Sequence, residues 1–265
     1  MCIRDSSAGP PETSVLLAGV VTKTAGFYTL FRVAESVLPA FGSPVRFGGP
    51  FEASFQLALL VFGVTSLLSG ALAALAQKSL RRMLAYSSIS QMGYIALGFG
   101  AGSALGTAGA LFHLFNHAVF KGLLFVNAAA VEKESGSGEL EKLGGLAETM
   151  PVTGATSVIG MLSTAGVPPL AGVWSKLMIV LALWQAGWKW LAVAGVLGSL
   201  ITLAYFLLLQ RRVFYGQRLE RLSAVKEASF WGVAPALLLA AVTVVLGVAF
   251  PWLFNTFLVP VDNFL

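Results

Sequence analysis

Charge is scarce in this sequence. Only 11% of its 265 residues are Asp, Glu, Lys or Arg, where a soluble domain of that size carries about a quarter. Cysteine is scarcer: Cys2 stands alone, which excludes a disulfide framework and any multi-cysteine metal or iron–sulfur site. No dinucleotide-binding glycine motif and no cofactor ligand set appears. The net charge of +5 sits in short connections between apolar runs, so it reads as membrane topology and not as affinity for nucleic acid. The N-terminal MCIRDSSAGPPETS lacks the apolar core and small-residue cleavage site of a signal peptide. It drops almost at once into an apolar helix, as expected of a fragment or a truncated reading frame.

What the sequence has is apolar length. Hydrophobic residues make up 57%, the mean hydropathy is +0.81, and runs of about 20 apolar residues, enough to span a bilayer, recur throughout. This predicts an all-α polytopic membrane protein with seven spans, at 14–38, 53–76, 83–100, 105–131, 150–187, 190–209 and 230–254. Residues 13–255 form one transmembrane domain, between a disordered or truncation-edge segment (1–12) and an outward tail (256–265). The fifth span is too long for one crossing. Gly166, Pro168, Pro169 and Gly172 interrupt it, and adjacent prolines cannot continue the backbone ladder, so it reads as a discontinuous helix in two halves.

Loop charges orient the bundle. Arg4, Lys78, Arg81, Arg82, Lys133, Lys142, Arg211, Arg212, Arg218, Arg221 and Lys226 fall on one side, against Arg46 and Lys189 on the other. The positive side faces the cytoplasm, which puts the N-terminus inside and the C-terminus outside. SGSGELEKLGG (135–145) reads as a flexible linker, and residues 210–228 as a basic amphipathic surface segment at the lipid headgroups.

Few ionisable groups remain inside the spans: Lys23, Arg32 and Glu35 in the first, His113, His117 and Lys121 in the fourth, and Lys176 in the broken helix. A basic side chain near the bilayer centre costs about 2.5–3.5 kcal/mol even on lenient scales, so the default reading is an ion or proton path. Arg32 and Glu35, three apart, read as a structural ion pair. Lys23 and Lys176 are proton-path candidates, Lys176 because the break exposes backbone groups that only protein or a wet cavity can satisfy.

His113, His117 and Lys121 lie four apart in HLFNHAVFK, on an arc of roughly 80° over about 12 Å. Two histidines at that spacing can share a metal, but no carboxylate or cysteine is near and Lys121 would repel a cation, so no metal is assigned. Interhelical hydrogen bonding is a second reading. A proton relay fits best, because histidine titrates near neutral pH and a desolvated lysine is pulled toward that range.

Read together, LLAGVVTKTAGFYTLFR, QKSLRRMLAYSSISQMGYIALGF, FHLFNHAVFKGLLF and GGLAETMPVTGATSVIGMLSTAGVPPLAGVWSK resemble the antiporter-like membrane subunits of respiratory complex I, of Mrp-type sodium/proton antiporters and of energy-converting hydrogenases. The resemblance covers nearly all of residues 13–215. It implies a fold of fourteen helices with two inverted five-helix repeats, of which this chain is similar to the second half. Lys23 then resembles the bridging lysine of the eighth helix. His113, His117 and Lys121 match the polar residues of the eleventh, and Lys176 the terminal lysine of the discontinuous twelfth.

The resemblance further implies a proton-translocating component of a multisubunit complex such as an NADH–quinone oxidoreductase or a membrane-bound hydrogenase. It would lie in a lipid bilayer, a prokaryotic inner membrane, among other membrane subunits. Protons would be moved, with Na+ as the alternative cargo and a purely structural anchor as the other rival. No cofactor is expected in this chain; electron chemistry would belong largely to partner subunits.

Overall fold

The computed structural model describes residues 25, 26, 28, 29, 55–254 and 256. Lys23, Arg32 and Glu35 lie outside the described residues, as do nearly all of the first expected span and both terminal segments. The remaining spans are helices: α1 (Phe55–Leu75), α2 (Leu80–Gly100), α3 (Ala104–Ser135), α4 (Pro151–Ala165), α5 (Ala171–Gln185), α6 (Lys189–Val213), α7 (Phe230–Val248) and a single turn, α8 (Phe250–Leu253). Among the described residues α1, α3, α6 and α7 are long and apolar enough to cross a membrane. The expected 150–187 span is α4 and α5, 15 residues each and about 22 Å long.

The bundle exposes large apolar side chains and buries polar ones within its apolar core. Phe62, Phe115, Leu200, Trp190, Trp231 and Leu238 are exposed, while Ser87, Gln91, His113, His117 and Lys121 are completely buried. Water as solvent would reverse that pattern; lipid permits it. The chain is therefore an integral membrane protein in its physics as well as its composition. α2 packs most extensively against α1, and the closeness depends on Gly93, where a Cβ would sit 2.5 Å from the backbone nitrogen of Leu67.

Two connections differ from expectation. The 135–145 stretch is a packed connection instead of a free linker. Ser79 and Glu139 form an antiparallel bridge, with Leu80 N–H to Gly138 O at 2.9 Å and Leu140 N–H to Lys78 O at 2.8 Å. The reason is apolar: Leu140, Leu143 and Leu146, three apart, bury in one cluster with Met150, Phe214 and Leu222. Around them Lys78 pairs with Glu141 and Arg218 with Glu148, each at 3.1 Å, and Arg81 pairs with Glu132. The basic 210–228 stretch is helical only to Val213; a 3-10 turn at Glu220–Leu222 follows, with Leu222 buried.

That stretch also starts the broken helix. Pro151 occupies the first turn of α4, where its missing N–H costs nothing. The Glu227 carboxylate accepts from Val152 N–H at 2.7 Å, Thr153 N–H at 3.3 Å and the Thr153 hydroxyl at 2.6 Å. A remote carboxylate thus caps the helix and sits at its positive end.

Candidate functional site

In an α-helix each carbonyl accepts from the N–H four residues on. Thr164 O would accept from residue 168 and Ala165 O from residue 169, and both are proline, which has no N–H. The Lys176 ammonium takes their place. Its Nζ donates to Thr164 O at 2.7 Å and to Ala165 O at 3.3 Å. The two preceding carbonyls are met by backbone at the turn: Gly166 N–H reaches Leu162 O and Ser163 O at 3.0 Å, and Val167 N–H reaches Leu162 O at 2.9 Å. Gly166 permits that turn with φ +85°. On the other half-helix, Gly172 N–H donates to Ser163 Oγ at 3.3 Å. The break is closed by its own residues, and its negative helix end faces a cation.

Close packing keeps the break in place. A Cβ on Gly172 would collide with Ser163 O, and one on Gly247 with Pro169 O, so α7 lies directly over the interruption. Trp174 Nε1–H donates to Gly247 O at 2.8 Å, and its ring stacks on Phe250 at 4.8 Å between centroids.

The α3 stripe leads from this point. His113 Nδ1 lies 2.8 Å from Ser175 Oγ, next in sequence to Lys176, and its Nε2 has no hydrogen-bond partner among the described residues. Asn116 Nδ2–H donates to Ala171 O at 3.1 Å and reaches Ser175 Oγ at 3.4 Å. One turn on, His117 is edge-on to Phe120, 5.5 Å between centroids. Lys121 donates to Leu84 O at 3.3 Å and to Ser87 Oγ, with the Phe206 ring 5.4 Å from Nζ. All three are fully buried, and Lys176 is 4% exposed. The sequence has no acidic residue from 53 to 131 or from 149 to 219; among the described residues, backbone and hydroxyl oxygens and ring faces lie around the Lys121 and Lys176 ammonium groups.

The structure brings His113 and Lys176 to one place, with Lys121 farther along α3; Lys23, Arg32 and Glu35 lie outside the described residues. It adds groups that the sequence reading passed over. The Tyr94 ring centroid is 4.4 Å from Lys176 Nζ, and Ser199 Oγ accepts from Lys176 at 3.3 Å. Gln91 and Ser90 are fully buried, with side-chain polar atoms unpaired among the described residues. The signal for α2 was present in SSISQMGY, a polar run inside an apolar span. For Ser199 there was none, since a lone serine in a greasy helix ordinarily bonds its own backbone. Among the described residues no three His, Cys, Asp or Glu side chains gather as a metal-ligand set. The arrangement suits proton transfer: titratable nitrogens, hydroxyls and backbone acceptors in a buried row.

Known proteins share this arrangement of sequence and fold. Residues 3–202 match the family described as "NADH:quinone oxidoreductase/Mrp antiporter, TM". The chain is 38% identical over 198 residues to NADH-quinone oxidoreductase subunit N of Desulforudis audaxviator, covering 74% of this chain and 38% of that protein. It is 37% identical over 196 residues to one of the Na(+)/H(+) antiporter subunits of Alkalihalophilus pseudofirmus, covering 69% and 23%. Its fold matches a chain of the membrane-bound sulfane sulfur reductase, an archaeal respiratory membrane complex, with TM-score 0.84 and 33% identity over 96% of this chain and 42% of that one. The chain thus spans less than half the length of each. With the motifs, the helical bundle and these matches in agreement, the chain belongs to the NADH:quinone oxidoreductase/Mrp antiporter family of membrane subunits.

Proposed function

We propose that this chain is the proton-translocating part of a membrane subunit in a multisubunit redox-driven pump or antiporter. The observation that carries the reading is the buried row from Lys121 through His117 and His113 to Lys176, which ends on the carbonyls of a broken helix. Buried basic groups at membrane depth are costly, and a row of them is useful where each takes and releases a proton. Lys23 feeds the row at Lys121 and His117, and the proton leaves outward from Lys176. The sites titrate as a coupled set.

The excess of basic residues in alternate connections supports a cytoplasmic N-terminus and an outward C-terminus, in a prokaryotic inner membrane. Other membrane subunits flank the chain, and any electron chemistry belongs to them; this chain carries no cofactor of its own. The similarity to the Alkalihalophilus Na(+)/H(+) antiporter protein favours one second reading, in which Na+ moves against the proton.

The test is proton flux in proteoliposomes holding the full-length parent complex. Lys121→Ala and Lys176→Ala each lower flux about tenfold or more, as expected when a hydrogen-bonded relay group is lost. Wild-type flux in both overturns the relay. Flux that requires Na+ on the opposite side selects the exchange reading.

A further inference from the structure

Lys176 is held on three sides, and only one of them is the helix break. Ser199 Oγ lies 3.3 Å from its Nζ and 2.7 Å from Tyr94 Oη, which itself donates to Gly195 O at 2.5 Å. The Tyr94 ring faces the ammonium at 4.4 Å and lies 5.6 Å from the His113 ring, centroid to centroid. Tyr94 therefore touches both titratable groups at the outer end of the row. α6 passes close to it: a Cβ on Gly198 would come within 2.8 Å of the Leu67 side chain and 3.1 Å of Tyr94 Oη.

We propose that Tyr94 and Ser199 are the positioning pair for Lys176, holding its protonated form at the break and setting the pH range over which it exchanges a proton with the His113 side. This rests on the translocation reading above. The ring and the hydroxyl favour the ammonium, one by cation–π attraction and the other as an acceptor. Tyr94 Oη, tied to Gly195 O, fixes where both stand. The proton moves between the Lys176 amine and the His113 imidazole; no bond to carbon changes. Among the described residues few other groups bear on this site. α1, α4 and α7 contain no titratable side chain; α2 supplies Tyr94 and α3 supplies His113.

The experiment is the pH profile of proton flux in the full-length complex, for Ser199→Ala, Tyr94→Leu and Tyr94→Phe beside Lys176→Ala. Losing an acceptor or the ring lowers the proton affinity of Lys176, so Ser199→Ala and Tyr94→Leu move the profile about one unit toward acid. Tyr94→Phe keeps the ring and moves it less. Profiles of Ser199→Ala and Tyr94→Leu that superpose on wild type, with only the amount of complex reduced, overturn the proposal. If Tyr94→Leu does not assemble, Ser199→Ala decides alone. Wild-type flux in Lys176→Ala instead overturns the translocation reading, so the two failures are distinct.

Discussion

Lys176 Nζ lies 2.7 Å from the carbonyl oxygen of Thr164, the acceptor that Pro168 leaves without an N–H. Pro169 does the same for Ala165 O, 3.3 Å from that ammonium. The two prolines interrupt the helix, and in doing so they build a cation site from its last carbonyls. Restoring the N–H groups with Pro168→Ala and Pro169→Ala together sets the backbone in competition with the lysine. Hydrogen bonds to a charged group are worth about 1.5–3 kcal/mol, so proton flux falls about tenfold while Lys176 is still present. Unchanged flux in the double variant contradicts this account of the break.

Ser87 stands to Lys121 as Ser199 stands to Lys176: a hydroxyl on a neighbouring helix that accepts from the buried ammonium. Ser87→Ala is expected to lower flux severalfold, and Ser87→Thr, which keeps the hydroxyl, to stay near wild type. Equal flux for alanine and threonine variants would show that the hydroxyl plays no part.

The seat of α7 over the break is a matter of volume. Gly247→Val drives a side chain into Pro169 O, an overpacking that costs about 1–3 kcal/mol. The purified complex should melt several degrees lower, whereas Leu238→Val on the exposed face should leave Tm unchanged. Equal melting of the two variants contradicts the close approach.

Glu227 anchors the other end of α4. Its replacement by alanine removes the acceptor for two backbone N–H groups and the Thr153 hydroxyl, a cap worth about 0.5–2 kcal/mol. Thermal unfolding of the complex should show a fall in Tm for Glu227→Ala and a smaller one for Glu227→Gln. No difference from wild type in either would mean that α4 is capped by solvent instead.

The helices were legible because lipid makes them so: apolar runs of bilayer length admit few other structures. The break was legible for the same reason that it works, since Pro168-Pro169 is a backbone statement written in the sequence. His113, His117, Lys121 and Lys176 stood out as charges without a loop. Ser199 did not, and Tyr94 showed only as the end of the polar run SSISQMGY, because their role lies in distances across α2, α5 and α6 that no single helix records. The 135–145 connection misled by composition: its Gly and Ser residues suggest freedom, while Leu140, Leu143 and Leu146 tie it down.

The central claim is that Lys176 moves protons and does not merely fill the break. Its most direct measurement is proton flux per turnover of the full-length complex carrying Lys176→Met, which keeps the length and loses the charge. The account predicts a normally assembled complex whose flux is about a tenth of wild type or less. Wild-type flux, whether assembly is intact or impaired, would contradict it and leave the buried row as structural glue.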